Sequence, residues 1–233
     1  MQLIFTLLAG LILGSFVNVL IWRIPKGFSV VGRSFCPKCQ KKIVWFDNIP
    51  LLSFILLKGK CRSCKKKIAL RYPLVELLFG VVTVLLYLKF GLTLKFFFYV
   101  LLSIVLLSIL VIDFMHQIIP DELVFIGLII SVLFIFSFAN LFAGFLAASF
   151  LLILHLITKG KGMGLGDVKF AILGGMIVGL TNIFSWFLVA FLTGAIVGCI
   201  LILTKKSDLK SKIAFGPFLV LALLYEILFQ IRI

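Results

Sequence analysis

Long apolar runs separated by short polar stretches dominate the chain. A helix needs about 20 apolar residues to cross roughly 30 Å of hydrocarbon. Eight segments approach that length: 1–22, 73–90, 94–112, 119–137, 139–158, 167–181, 183–203 and 213–231. The sixth is short, as fits a helix that opens on an aspartate at the interface. One large polar insertion, 23–72, follows the first segment, and no internal repeat or low-complexity linker stands out. The pattern predicts an all-α polytopic membrane protein of about eight transmembrane helices. Its expected organisation is a first helix (1–22), a loop domain (23–72) and a seven-helix core (73–233).

Composition agrees: 63% of the 233 residues are hydrophobic, 13% are charged and mean hydropathy is +1.30. No water-soluble globular domain has this balance. The net charge of +15 raises the possibility of a nucleic-acid partner, but the positions of the charges argue against it. Thirteen Lys and Arg lie between Arg23 and Arg71, three between Lys159 and Lys169, and four between Lys205 and Lys212. With eight helices these stretches fall on one side, which the positive-inside rule makes cytoplasmic. Both termini then face outward, and anionic headgroups are the natural counter-charge. Met1 to Leu13 lacks a basic leading region, so the first segment reads as a retained helix rather than a signal peptide.

The insertion carries Cys36-Pro-Lys-Cys39 and Cys61-Arg-Ser-Cys64, two Cys-x-x-Cys knuckles separated by 21 residues. Four thiolates in this arrangement suit one tetrahedral zinc ion. A disulfide pair is the alternative, which a reducing cytoplasm disfavours. A closed tetrathiolate site orders a loop rather than cleaving a bond, because catalytic zinc keeps a position open for water. The apolar run Ile49 to Leu57 is too short to span and is expected to pack on this module or dip into the interface. Cys199 lies in an apolar helix and is expected to pack.

Two aspartates sit at the ends of membrane-length segments. Asp113 closes the run from Phe96 to Ile112, and Asp167 follows Gly162, Gly164 and Gly166. Ionisable groups at such positions mark sites or relays. A helix cap is the simpler reading of Asp167, since a helix start favours negative charge; Asp113 cannot cap its own helix. By the predicted topology both lie near the cytoplasmic face and can meet. Two carboxyls sharing a proton would let one deprotonate water while the other donates to a scissile carbonyl, with Asp113 expected to hold the proton at rest. Asp121 and Glu122 follow Pro120 and read as capping or positioning groups. Glu76 opens a helix from the same side, whereas Ser15, Asn18, His155 and Glu226 read as interhelical hydrogen-bonding groups.

Several strings together resemble the type IV prepilin peptidases. They are Gly14-Ser15-Phe16-Val17-Asn18-Val19, the two knuckles, Asp47-Asn48-Ile49-Pro50 and Arg71-Tyr72-Pro73-Leu74-Val75-Glu76. Ile112-Asp113 with Ile119-Pro120-Asp121, then Gly162-Met163-Gly164-Leu165-Gly166-Asp167-Val168-Lys169, and finally Phe215-Gly216-Pro217-Phe218 complete the series in the family's order. The resemblance covers nearly the whole chain. It implies an aspartic endopeptidase of the bacterial inner membrane that removes the basic leader of prepilins or pseudopilins after a glycine at the cytoplasmic face. Asp113 and Asp167 match the family's catalytic pair, with Glu76, Asp121, Gly164 and Gly166 as candidate substrate-positioning residues. Many members also methylate the new amino terminus with S-adenosylmethionine, and the cysteine region is associated with that activity. No glycine-rich nucleotide fold supports the methyl transfer independently.

Three other readings stay open. A peptidase without methyltransferase activity fits the same residues. A proton-coupled transporter would use the aspartates as a relay, but its site would lie at the bilayer midplane, often between inverted repeats. A membrane-anchored zinc module without catalysis leaves both aspartates unexplained. The sequence predicts no nucleic-acid partner, and it fixes neither the pilin processed nor the oligomeric state.

Overall fold

The computed structural model describes residues 1–160, 162–204 and 214–230. The basic residues Lys205 to Lys212, Lys161 and the outer ends of the eighth segment lie outside them. The chain forms two compact units, Met1–Ser108 and Ile109–Ile233, which divide within one helix.

In the first unit, helix α1 (Gln2–Arg23) leads into the cysteine insertion, which contains one short helix, α2 (Leu52–Leu56). Helix α3 (Arg71–Phe90) follows and ends at Gly91, and α4 (Leu94–His116) begins. Lipid is as apolar as leucine, so helices in a membrane associate through close packing at small residues and through polar contacts. At the α1–α3 crossing a Cβ on Gly10 would fall 2.8 Å from Cα of Gly80, and one on Gly14 would fall 2.8 Å from Cα of Glu76. Phe79 and Leu86 are fully buried there.

The second unit holds the end of α4 and four further helices: α5 (Asp121–Ile135), α6 (Phe138–Ile157), α7 (Leu165–Leu203) and α8 (Gly216–Tyr225). The last continues as a wider turn through Gln230. Pro120 precedes α5, and Ser137 Oγ accepts the Asn140 N–H at 3.0 Å to cap α6. α7 has 39 residues, about 58 Å as a straight rod, far more than one bilayer. It is a hairpin. Gly179 has φ +69 and ψ 174, and a Cβ on Gly174 would collide with the Trp186 ring. Residues twelve apart in a straight helix are about 18 Å from each other, so the chain must double back at Gly179. Among the described residues the fold thus contains eight apolar helical rods, in keeping with the eight predicted segments. Among the described residues α1, α3, α4, α6 and α7 are long and apolar enough to cross a membrane.

The first arm of α7 packs against α6, where a Cβ on Gly175 would meet the Ala143 carbonyl oxygen at 2.6 Å. Its second arm packs against α8. Trp186 Nε1 donates to the Leu219 carbonyl at 2.9 Å, and Ser185 Oγ donates to Glu226 Oε1 at 2.6 Å, the interhelical role expected for Glu226. Cys199, expected to pack, is exposed on the second arm.

Candidate active site and metal centre

Asp113 and Asp167 come together at one end of the second unit. Both are nearly buried, at 5% and 8% exposure, and their carboxyls lie within electrostatic range of each other. Asp167 stands in the first turn of α7, where its Oδ2 accepts the Gly164 N–H at 3.1 Å. The capping expectation is therefore met: one oxygen orients the side chain at the helix start. Asp113 ends α4 and accepts the backbone N–H of Gly216, in the opening turn of α8. Each carboxyl thus receives a helix-start N–H, so the helix-start field does not by itself single out Asp167 as the charged member.

Glycines make this approach possible by lacking a side chain. Gly164 has an ordinary extended φ of −79°, so it is not there for left-handed geometry. A Cβ would come within 3.2 Å of Asp167 Oδ2 at Gly164, 3.1 Å of Ile119 Cβ at Gly166, and 2.5 Å of Asp113 Oδ2 at Gly216. Ile119 packs over both Gly166 and Gly216 and is the apolar side chain nearest the pair among these contacts. Its motif was legible in the sequence; its place beside the carboxyls was not.

Two contacts brace the loops around the site. His155 Nδ1 donates to the Met163 carbonyl at 2.7 Å and its ring lies against Gly160, tying the end of α6 to the glycine loop. Its partner is thus a loop carbonyl rather than a neighbouring helix. Lys169 Nζ donates to both oxygens of Asp121 at 2.8 Å, joining the first turns of α7 and α5. Asp121 is occupied by this pair.

Glu76 lies in the first unit, 8% exposed. Its Oε2 accepts the Leu51 N–H at 2.9 Å.

The cysteine insertion contains a short duplication. In the first knuckle the Gln40 N–H donates to the Cys36 carbonyl, Cys36 N–H to the Lys41 carbonyl and Ile43 N–H to the Ser34 carbonyl. In the second, Lys65 N–H donates to Cys61, Cys61 to Lys66 and Ile68 to Gly59. Phe35 bridges to Lys42 as Lys60 does to Lys67, and Gln40 and Lys65 share left-handed φ of 59° and 57°. The matching strings, each ending Lys-Lys-Ile or Lys-Lys-Lys-Ile, are an internal repeat too short for a scan of whole-chain periodicity to register. The four sulfurs lie within 4.8 Å of one another, and Cys36 Sγ is 4.0 Å from Cys64 Sγ. Sulfurs at the corners of a tetrahedron around zinc are about 3.8 Å apart, given Zn–S bonds of about 2.3 Å. A disulfide needs about 2.05 Å, and all four thiols are free. The donor set therefore fits a tetrahedral metal ion. The backbone N–H of Cys64 lowers the Cys61 thiol to about 7, which favours the thiolate that a metal requires.

Arg23, which reads in the sequence only as part of a basic stretch, is 5% exposed. Its guanidinium donates to the carbonyls of Ser29, Val30, Val31 and Arg33, organising the approach to the first knuckle. Asp47 receives two 2.7 Å bonds from Arg62, and this guanidinium holds its carboxyl below the usual range. Ile49, Leu52, Ile55 and Leu56 stay exposed, so of the two expectations for this run, packing on the module is not met.

Fold and site define a polytopic helical membrane protein with a close pair of buried aspartates and a tetracysteine module. Residues 8–90 match the Bacterial Peptidase A24 N-terminal domain, and residues 100–199 match the Type IV leader peptidase family. The prepilin leader peptidase/N-methyltransferase of Pseudomonas aeruginosa is 33% identical over 93% of this chain and 87% of its own length. That of Bacillus subtilis is 32% identical over 93% and 91%, and that of Legionella pneumophila 32% over 91% and 86%. No solved structure matches the chain. The chain belongs to the type IV leader peptidase family and is a membrane enzyme of that family.

Proposed function

We propose that the chain removes the basic leader of type IV prepilin-like proteins, cutting after a glycine at the cytoplasmic face of the bacterial inner membrane, with Asp113 and Asp167 as catalytic pair. The observation that carries this reading is the meeting of the two carboxyls at one end of the helical core, each fixed by one backbone N–H. A prepilin leader is basic and precedes an apolar helix, so its scissile bond lies at the membrane surface, where carboxyls at helix ends can reach it.

In the reaction one carboxyl is ionised and takes a proton from water, while its protonated partner donates to the scissile carbonyl oxygen. The Gly164 and Gly216 N–H groups hold the two side chains in place, so neither must reorient as charge moves between them. The missing side chains at Gly164 and Gly166 let Asp167 and Ile119 close against the loop backbone beside the pair. Cys36, Cys39, Cys61 and Cys64 would hold zinc, which supplies structural order to the 23–72 region. The relatives' second activity is carried over as well: the new amino terminus is methylated with S-adenosylmethionine as methyl donor. Residues 73–233 then form the peptidase core and 23–72 the zinc-binding region.

The test is leader removal from a prepilin by purified protein in lipid, read by mass. Cleavage after the leader glycine, followed by a mass gain of one methyl group when the donor is added, is the expected result. Cleavage without that gain would limit the chain to peptidase activity, and no cleavage would overturn the reading.

A further inference from the structure

A second polar cluster is buried in the first unit, where α1 crosses α3. Gly14 brings the helices into backbone contact at Glu76. Ser15 and Asn18, one residue and one turn further along α1, face the opening turns of α3. The Ser15 hydroxyl donates to the Glu76 carboxylate, and the Leu51 N–H donates to Glu76 Oε2. Both donors are neutral. Asn18 is 3% exposed and commits its amide hydrogens to backbone carbonyls, Tyr72 at 3.0 Å and Gly14 at 3.4 Å. Turning the amide over would set oxygen against oxygen, so the orientation is fixed. Asn18 Oδ1 is left buried without a donor.

A buried acceptor with no donor costs about 1–3 kcal/mol, and a carboxylate at a membrane edge marks a site. Here the two occur within a turn of each other. The cluster offers oxygen atoms and a negative charge, which an anion or a carbonyl would meet with repulsion. The complementary group brings only hydrogens and positive charge, as a primary ammonium does. Leu51 supports this. It is a non-glycine residue at φ +56 directly after Pro50, a conformation that branched side chains rarely adopt. Its N–H occupies one of the acceptor positions an ammonium would take.

We propose that Ser15, Asn18 and Glu76 form the site that takes the α-amino group of a processed peptide, the acceptor in methyl transfer. This rests on the methyl-transfer half of the function proposed above. The ammonium displaces the Leu51 N–H and is held by Glu76 and Asn18 Oδ1. Glu76 accepts one proton, freeing the nitrogen lone pair. That pair forms the N–C bond to the methyl group as the S–C bond of the donor's sulfonium breaks. The electrons of the broken bond remain on sulfur, giving a neutral thioether; the product leaves as a methylated ammonium, and Glu76 releases to water the proton it accepted, one proton per methyl group transferred.

The experiment is binding without methyl donor. A peptide carrying the first apolar residues of a processed pilin, with a free amino terminus, and its N-acetylated twin are each titrated by calorimetry against the full chain in nanodiscs. A charge-assisted hydrogen bond is worth about tenfold or more in affinity. Wild type is expected to prefer the free amine by about that factor. Glu76→Gln should abolish the preference, and Asn18→Ala should weaken it. Glu76→Asp keeps the charge and should retain part of the preference, which covers the case in which Glu76→Gln does not fold. Equal binding of both peptides, failure of wild type to bind the amine form, or an undiminished preference in folded Glu76→Gln would each overturn the proposal. Leader removal measured in parallel separates this result from failure of the peptidase reading.

Discussion

The backbone N–H of Gly216 donates to the Asp113 carboxylate, and a Cβ at Gly216 would lie 2.5 Å from Asp113 Oδ2. The start of α8 is therefore part of the site although it carries no acid or base. Gly216→Ala should push the carboxyl aside while leaving both aspartates in the chain. A displacement of about 1 Å can cost on the order of 100-fold in rate, so leader removal should fall by about that factor. A rate within twofold of wild type would show that Gly216 has no such role.

The hairpin of α7 depends on Gly174 lying against Trp186 and on the turn at Gly179. Gly174→Ala overpacks the contact and should destabilise the protein by about 1–3 kcal/mol. Gly179→Ala forces an L-residue to φ +69 and ψ 174, a region essentially confined to glycine, at roughly 1–3 kcal/mol. Thermal unfolding in detergent reads both, and an unchanged midpoint for Gly174→Ala would contradict the hairpin.

Asp121 is half-exposed and paired with a half-exposed Lys169. Such pairs contribute about 0–1 kcal/mol to stability, so Asp121→Lys should barely move the unfolding midpoint. It should lower leader removal several-fold by loosening α5 from α7. Exchanging the charges, Asp121→Lys with Lys169→Asp, should restore activity. If Asp121 instead contacted a basic leader directly, the exchange would give no rescue.

The Cys61 thiol is lowered to about 7, first by the Cys64 N–H. Its thiolate therefore appears as pH rises through about 7, well below the ordinary thiol range near 8.5. In metal-stripped protein, iodoacetamide labelling of Cys61 should be half-maximal near that lower pH, and restoring zinc should protect all four cysteines. A labelling midpoint near 8.5 or above would contradict the lowered value.

Apolar run length alone located all eight rods, because membrane crossing imposes a length that composition reveals directly. A break between the sixth and seventh segments was expected at residue 182; it lies at Gly179 instead, inside the predicted sixth segment, because its position depends on Trp186 seating on Gly174. The cysteine cluster followed from spacing. Its internal duplication lies in backbone hydrogen bonds that the eye passes over when only the cysteines are matched. Asp113 and Asp167 were legible as unusual charges at the ends of apolar runs. The N–H groups that fix them, the Ile119 contact with Gly166 and Gly216, and the His155 brace are tertiary facts between residues far apart in the chain. What approaches the glycines was likewise a tertiary fact: Gly164 and Gly166 lack a side chain where Asp167 and Ile119 come close.

The most direct measurement is the rate of leader removal by Asp113→Asn and Asp167→Asn beside wild type, in lipid, with folding checked by thermal melting. Losing a group that transfers a proton in the reaction costs about 10²–10⁴-fold. Each folded variant should therefore fall by at least about 100-fold, with cleavage after the leader glycine seen only in wild type. A folded Asp113→Asn or Asp167→Asn protein that cuts at the wild-type rate would contradict the account.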